Sequence, residues 1–182
     1  MIDLSPTACD QRLTRELTFV TRLGDRVWNQ EVWGITFIDR AHFYPSEQEP
    51  CETHACLVGW AAIHEALAQP SIDALPGYLD NPYEEPTYCL EITQTGQELI
   101  SRAGFKHLEG YYDISQDFFA LGAVIFGLGT RERAYLLLRA NHTLGSLWST
   151  AALLTEGRVR LPATLVNRVI QVDSARYERS RR

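Results

Sequence analysis

Apolar residues recur every three or four positions along most of the chain, and this spacing predicts a mainly α-helical fold of about six or seven helices. The first helix follows Ser5, a favoured N-cap residue, has Pro6 at its first position and ends at Gly24. Cys9 lies on its apolar face, so we expect this thiol in the core. Later helices are predicted to begin at or near Thr95, Asp113, Thr130, Leu144 and Pro162. The apolar side of the last one carries Leu165, Val166, Val169 and Ile170.

The most apolar segment predicts a central helix over residues 54–68, capped by Thr53 and ended by Pro70. One stripe of this helix has the larger side chains of Cys56, Trp60, Ile63 and Leu67. A neighbouring stripe has the small residues Ala55, Gly59, Ala62 and Ala66. Small side chains at this spacing let another backbone approach closely, and apolar residues around most of the circumference are typical of a buried helix. We therefore expect this helix to lie at the centre of the fold.

Two segments rich in β-branched and aromatic residues predict a small two-stranded β ribbon, formed by residues 32–38 and 87–92. The segment between them from Pro70 to Pro86 contains four prolines and is predicted to be irregular loop. No repeat or linker divides the chain. Residues 1–182 are thus expected to form a single helical domain, in which 175–182 is a frayed basic tail.

Composition is that of an ordinary globular protein. The chain has 182 residues, of which 45% are hydrophobic and 22% charged, enough for one core and unlike a disordered tail. No apolar run approaches the roughly 20 residues needed to cross a bilayer, and the start of the chain lacks the pattern of a signal peptide. Four cysteines are too few for a disulfide scaffold, so we expect a protein of the reducing cytoplasm.

Charge is distributed unevenly along the chain. The net charge of -6 argues against general nucleic-acid binding. The acidic stretch, residues 41–101, has no lysine or arginine and ten acids: Glu47, Glu49, Glu52, Glu65, Asp73, Asp80, Glu84, Glu85, Glu91 and Glu98. The C-terminal arginines oppose it, with only Asp173 and Glu178 among them: Arg158, Arg160, Arg168, Arg176, Arg179, Arg181 and Arg182. Such asymmetry is typical of solvated faces, but it also steers partners or lets two copies meet head to tail.

The candidate metal ligands are Cys51, His54, Cys56 and Cys89, all of types that bind zinc. Helical geometry argues against this site, because His54 and Cys56 would point about 200° apart on a helix. The spacing also lacks the paired motifs of a structural zinc module. Zinc therefore remains the less favoured interpretation of this cluster.

A cysteine nucleophile is the other chemical interpretation. It would use Cys51 or Cys56, with His54, His107 or His142 as the base. No local sequence around either cysteine has a protease signature. A helix-turn-helix over residues 114–140 is also disfavoured, since Glu132 lies among the few arginines there.

Residues 51–61 resemble a recurrent box, C-G-T-x-A-C-[LI]-x-G-[WH]-A, of small uncharacterised proteins from phages and bacteria, with Glu52 where glycine is usual. A later segment, residues 128–137, is similar to a second pattern of those chains, L-G-L-[ST]-x-x-[EQ]-A-x-x-L-[FL]. The resemblance implies a phage or mobile-element accessory protein with a helical scaffold around the box. It carries no activity and no catalytic residue.

The lack of a catalytic constellation favours a non-enzymatic interaction protein that binds a host or viral macromolecule through the acidic stretch or exposed aromatic residues. One alternative is a zinc-supported or thiol-dependent enzyme that uses Cys51, His54 and Cys56. A second is a nucleic-acid-binding or DNA-mimicking regulator, which would use the C-terminal arginines or the acidic stretch. The leading hypothesis assigns no cofactor and leaves the oligomeric state open.

Overall fold

Seven α-helices and three short strands make up the described part of the chain in the computed structural model, which covers residues 2–24, 35–36, 55–71, 88–106, 117–139, 142–179 and 181. The helices are α1 (Pro6–Leu23), α2 (Leu57–His64), α3 (Gln94–Arg102), α4 (Phe118–Ile125), α5 (Arg131–Leu138), α6 (Leu144–Leu154) and α7 (Val166–Arg179). The strands are β1 (Ile35–Thr36), β2 (Ala68–Ser71) and β3 (Tyr88–Ile92). The prediction of a mainly helical fold is confirmed.

Helix α1 is bounded as its sequence predicts. The Ser5 hydroxyl accepts a hydrogen bond from the Ala8 amide at 3.3 Å, and Pro6 occupies the first helical position. Gly24 follows the helix with a φ of 59°, a conformation that glycine adopts without strain. Cys9 is 2% exposed, which confirms its place in the core.

Helix α2 is the buried centre of the fold, but it is shorter than the predicted helix over 54–68. All residues from Leu57 to Ile63 are buried, and the helix contacts α1 and α4. It ends because Ala66 takes a left-handed φ of 54° and the Leu67 amide donates to the Ala62 carbonyl at 2.7 Å. Cys56 is the N-cap, and Thr53 lies outside the described residues.

The predicted pairing of two strands is confirmed, and a third strand was not predicted. The antiparallel order is β1-β3-β2, in which Ile35 lies opposite Cys89 and Ala68 opposite Ile92. Pro70 and Ser71, assigned from the sequence to irregular loop, belong to β2. Proline is compatible with this position because β2 is at the edge of the described sheet.

Close helix packing also uses Gly122, a small residue outside the predicted stripe. A Cβ atom at Gly122 of α4 would lie 2.8 Å from Leu138 Cδ1 of α5 and 3.3 Å from Val58 Cγ2 of α2. Gly122 therefore lets three helices approach one another. Ala66, one of the predicted small residues, is exposed and lies beyond the end of α2.

Other helix boundaries follow local capping. Thr130 caps α5 as predicted, since its hydroxyl accepts from the Arg133 amide at 3.3 Å. The prediction that Thr95 caps α3 was wrong: Thr93 does so, with its hydroxyl 3.4 Å from the Gly96 amide. Asp117 caps α4, whereas the predicted Asp113 lies outside the described residues.

The C-terminal region begins with a 3-10 turn over Ala163–Leu165, just after Pro162, and continues into α7. Helix α7 extends through Arg179, so residues 175–179 of the predicted frayed tail are helical. Buried side chains from α1, α2 and α4 to α7, with those of β2 and β3, form one core cluster. Within the described ranges, no helix combines the length and apolar character needed to cross a bilayer.

Candidate functional site

Cys56, at the centre of the predicted chemical cluster, lies in the core. It is 0% exposed, and burial raises the pKa of its thiol to about 12, although hydrogen bonds with the backbone at Gly59 and Val58 act in the other direction. The thiol is therefore protonated at neutral pH. A buried, protonated thiol is a poor nucleophile.

The other three predicted ligands lie outside the described residues or have undescribed side chains. Cys89 lies in β3, in register with Ile35 on one side and Ser71 on the other. Cys51 and His54 lie outside the described residues, so the four-residue zinc site stays a prediction. Among the described residues, no three histidine, cysteine or carboxylate side chains could hold a metal ion together.

A polar network between α1 and the end of α2 was not predicted from the sequence. Glu16 of α1 is 0% exposed, and its Oε2 lies 2.7 Å from Nδ1 of His64. Its Oε1 accepts from Nε of Arg15 at 2.7 Å. Arg15 also donates through a terminal nitrogen to Oε1 of Glu65, again at 2.7 Å. The network thus pairs a fully buried carboxylate with two partners.

Arg12 completes the network from the inner side of α1. Its terminal nitrogens donate to the Ile125 carbonyl at 2.7 Å and to the Asp3 carbonyl at 3.1 Å. Its Nε lies 3.1 Å from Oε1 of Glu65 but makes no hydrogen bond within the described structure, so this contact is an ion pair. Burial acts to raise the pKa of Glu65, but the hydrogen bond from Arg15 and the positive charges of Arg12 and Arg15 outweigh burial and lower that pKa.

Aromatic rings hold the imidazole of His64 in place. The Phe19 ring meets it edge to face at a centroid distance of 4.9 Å, and the Trp60 ring lies at 5.9 Å. Such a carboxylate–imidazole pair resembles half of a catalytic triad. Arg15 lines one of the two described depressions, but neither Glu16 nor His64 lines either of them, so we interpret the network as a tie between two helices.

The sequence contained a signal for this tie. Arg12 and Glu16 are four residues apart, adjacent to the apolar positions Leu13 and Leu17, and the pair His64-Glu65 closes an otherwise apolar helix. Charged residues at the margin of a buried stripe are expected to find partners. Which partners they find depends on how α1 and α2 cross, which the sequence pattern does not specify.

His142, proposed as a base for a cysteine nucleophile, is also built into the structure. It is 3% exposed, with Nε2 2.8 Å from the Leu136 carbonyl and Nδ1 2.9 Å from the Ser146 hydroxyl. Burial lowers the pKa of this imidazole. Both nitrogens are therefore used to join the end of α5 to the start of α6.

Two open depressions flank the Asp10–Arg158 ion pair, which measures 2.7 Å. One, of about 450 Å³, is lined by Thr7, Asp10, Gln11, Thr14, Arg15 and Arg158. The other, of about 460 Å³, is lined by Leu4, Pro6, Cys9, Asp10, Phe126, Gly127 and Arg158. Burial raises the pKa of the Cys9 thiol despite the nearby charge of Arg12, so this thiol is not activated either.

The most distinctive surface is on α7. The sequence placed Val166 and Ile170 on the buried side with Leu165 and Val169, and the structure corrects this. Leu165 and Val169 are buried, 9% and 5% exposed, whereas Val166 is 39% and Ile170 58% exposed. The apolar arc of α7 is therefore wider than the part that the core covers.

Tyr177 extends this exposed apolar side of α7. It is 63% exposed and lies seven residues after Ile170, so Val166, Ile170 and Tyr177 fall within about 40° of one another around the helix. These three residues are called the α7 face below. The Arg181 guanidinium lies 5.5 Å from the centre of the Tyr177 ring at the end of this face.

Several of the C-terminal arginines bind their own chain. Arg158 pairs with Asp10, Arg160 donates to the Gly157 carbonyl at 2.6 Å, and Arg168 donates to the Arg22 carbonyl at 3.0 Å. Four arginines, Arg176, Arg179, Arg181 and Arg182, lie among the last seven residues of the sequence, where Glu178 is the only acid. The positive charge of the tail is thus concentrated in its last seven residues.

No family model, no curated protein and no solved structure matches this chain.

Proposed function

We propose that the protein is a non-enzymatic interaction protein that binds a partner macromolecule through the α7 face. The observation that carries this proposal is the exposure of Val166, Ile170 and Tyr177 along one side of a helix whose other side is anchored in the core. Soluble proteins expose single apolar residues freely, but an aligned set on a firmly held helix is typical of a docking surface.

The platform beneath this face is rigid. Asp173 of α7 accepts from the Leu144 and Gly145 amides at 2.8 and 2.9 Å, which satisfies two amides at the start of α6. Arg168 holds the end of α1 through the Arg22 carbonyl. A surface that is already ordered loses little conformational entropy when a partner binds, so more of the contact free energy appears as affinity.

The side chains of the α7 face are suitable anchors. Full burial of a valine or isoleucine side chain contributes about 1.5–3 kcal/mol, and tyrosine is enriched among the residues that dominate binding energies. Covering the exposed fractions of Ile170 and Tyr177, 58% and 63%, would supply a substantial part of such a contribution. The state of the thiols of Cys9 and Cys56 supports binding over thiol chemistry, because burial raises the pKa of both.

The resemblance of residues 51–61 to the box of small phage and bacterial proteins supports an accessory role of phage or mobile-element origin. The proposed place of action is then the cytoplasm of the host cell. In this account the partner is a host or viral protein, and the arginines beyond Tyr177 guide its approach.

The test is nuclease-treated affinity purification from the host with three proteins: the unaltered chain, Ile170→Asp and Leu153→Asp. Leu153 of α6 is a matched control because it is 77% exposed and lies outside the α7 face. We expect a stoichiometric protein partner with the unaltered chain and Leu153→Asp, and its loss with Ile170→Asp, while circular dichroism shows all three folded.

Equal recovery of the partner with Ile170→Asp would overturn the proposed face. Recovery of nucleic acid in place of a protein, abolished by nuclease treatment, would favour the nucleic-acid alternative. Turnover of a small molecule without any stoichiometric partner would overturn the interaction hypothesis itself.

A further inference from the structure

We propose that His64 accepts a phosphoryl group at Nε2 from an acyl phosphate. The residue is the last of α2, and its side chain is 27% exposed, whereas the Glu16 carboxylate that lies 2.7 Å from its Nδ1 is 0% exposed. The site belongs to the tie between α1 and α2 and uses none of the residues of the α7 face. It therefore adds a modification to the binding role proposed above.

The contact with Glu16 determines which nitrogen of His64 is reactive. An ionised carboxylate only accepts hydrogen bonds, so Nδ1 is the donor and Nε2 carries the lone pair of the neutral imidazole. The two ring nitrogens point away from each other. Because Nδ1 is directed at a fully buried carboxylate, Nε2 lies on the exposed side of the ring.

The ring of His64 is also held in one orientation. Phe19 meets it edge to face, with an interplanar angle of 87°, and Trp60 packs beside it. A ring held in this way loses little rotational freedom when Nε2 attacks an electrophile. His142 differs, because it is 3% exposed and both of its nitrogens bond within the protein.

A carboxylate-bound imidazole serves proteins as a general base, a metal ligand or a nucleophile. A base works on a substrate held in a cavity, and the two described depressions are lined by neither Glu16 nor His64. A metal ion needs several ligands, and the described ranges bring no three suitable side chains together. A nucleophile that takes a group from a donor in solution needs only an exposed nitrogen. The described surroundings of His64 therefore favour group transfer.

The charges around His64 suit an anionic phosphoryl group. Arg15 donates to the same Glu16 carboxylate, and its side chain is 51% exposed, so a guanidinium lies at the surface beside the imidazole. Arginine is well suited to binding phosphate oxygens. The neighbouring carboxylate of Glu65 is paired with Arg12 at 3.1 Å and Arg15 at 2.7 Å, which offsets its repulsion of an anion.

The transfer is a displacement at phosphorus. The Nε2 lone pair forms the N–P bond, the bond from phosphorus to the acyl oxygen breaks, and the carboxylate leaves with that electron pair. Nδ1 keeps its proton, and the positive charge that the imidazole gains faces Glu16. Acetyl phosphate and the aspartyl phosphate of a partner protein supply the same chemistry.

The first experiment incubates the folded full chain with acetyl phosphate and maps N-linked phosphate by mass spectrometry and phosphorus NMR at alkaline pH. We expect acid-labile phosphate on His64 and none on His142. His64 should be labelled at least about tenfold faster in the folded chain than in urea, because the fold orients its ring. Equal rates in the folded and unfolded chains would overturn the proposal.

A parallel sample separates the two sources of the phosphoryl group. Host extract is charged with ATP, freed of small molecules and added to the chain in place of acetyl phosphate. Labelling of His64 that hydroxylamine treatment of the extract abolishes would identify a protein-borne aspartyl phosphate, because hydroxylamine cleaves acyl phosphates. Labelling by acetyl phosphate alone would identify a small acyl phosphate. The absence of labelled His64 in both samples would overturn the proposal.

The last experiment tests Glu16 as a positioning residue. Glu16→Gln keeps an oxygen that accepts from Nδ1 but removes the charge, so labelling of His64 should slow at least about tenfold. The control Asp10→Asn, on the same helix, should leave the rate unchanged, and circular dichroism verifies that both variants fold. Nitrogen NMR of the unaltered chain provides a readout without any variant. A neutral His64 with its proton on Nε2 would overturn the proposal, as would an unchanged rate in folded Glu16→Gln.

Discussion

Glu16 shows how one residue can carry a large share of the stability of this molecule. It is completely buried on the core side of α1, yet both carboxylate oxygens have charged or polar partners within 2.7 Å, on Arg15 and His64. A buried carboxylate is tolerated only when such partners replace water. His64 depends on Glu16 in turn, because the described hydrogen bond of its Nδ1 is the one to the Glu16 carboxylate.

Glu16→Ala should therefore lower the free energy of unfolding by about 3 kcal/mol, because it removes the carboxylate and leaves polar groups of its partners facing the core. Urea unfolding followed by tryptophan fluorescence measures this effect. The control is Asp10→Ala, which removes the surface ion pair with Arg158 and should cost less than about 1 kcal/mol. Equal losses for the two variants would show that the network contributes no more than a surface pair.

Four helices end with the same local arrangement. In α2, α3, α4 and α6 a residue just beyond the helix has a φ between 54° and 84°, and the amide after it donates back to a carbonyl five residues earlier. Glycine occupies the left-handed position after α3 and α4, at Gly104 and Gly127. After α2 and α6 the position is taken by Ala66 and Glu156, where a side chain is strained.

Ala66→Gly should raise the free energy of unfolding by about 0.5–1 kcal/mol, since relief of the left-handed strain exceeds the added flexibility of the unfolded chain. Thermal and urea unfolding measure the gain. The control is Ala62→Gly inside α2, where the backbone is helical and buried, so that change should destabilise. A loss of stability with Ala66→Gly would show that the methyl group contributes more than the strain costs.

At the scale of the whole molecule, the central place of α2 decides which chemistry the chain offers. Residues of α2 pack against α1 and α4, and Cys56 at the start of this helix is sealed from solvent. Cys9, in the first turn of α1, is also buried, with its sulfur 3.9 Å from the Val124 carbonyl oxygen. Both thiols act as core packing, which leaves the outer face of α7 as the distinctive surface.

In the native protein, Cys9 and Cys56 should react with iodoacetamide at least about 100-fold more slowly than in urea, because reaction requires an accessible thiolate. Mass spectrometry of digested samples assigns the rate to each cysteine. A matched sample labelled in urea provides the reference rate for the same residues. Rapid native labelling of Cys56 would mean that the start of α2 opens to solvent, and it would restore the thiol-dependent enzyme as the favoured alternative.

Local physics let the sequence by itself determine the helical class, the capping of α1 by Ser5 and of α5 by Thr130, the extended conformation of β1 and β3, and the burial of α2. Each of these depends on neighbours in sequence or on the periodicity of apolar residues. The end of α2 at Ala66 and the strand β2 were not predictable in this way, because alanine is a strong helix former and Ala68–Ser71 has little β propensity. Pairing with β3 overrides both preferences.

Only the tertiary structure decided the candidate surface on α7 and the polar tie between α1 and α2. A sequence pattern shows that α7 has an apolar arc. How much of that arc the core covers depends on where α6 and α1 lie. For this reason the sequence pattern assigned Val166 and Ile170 to the buried side, although both are exposed. Glu16 finds His64 because of the crossing of α1 and α2, which periodicity does not encode. Local preferences thus set the elements, and the docking of those elements set what remains exposed.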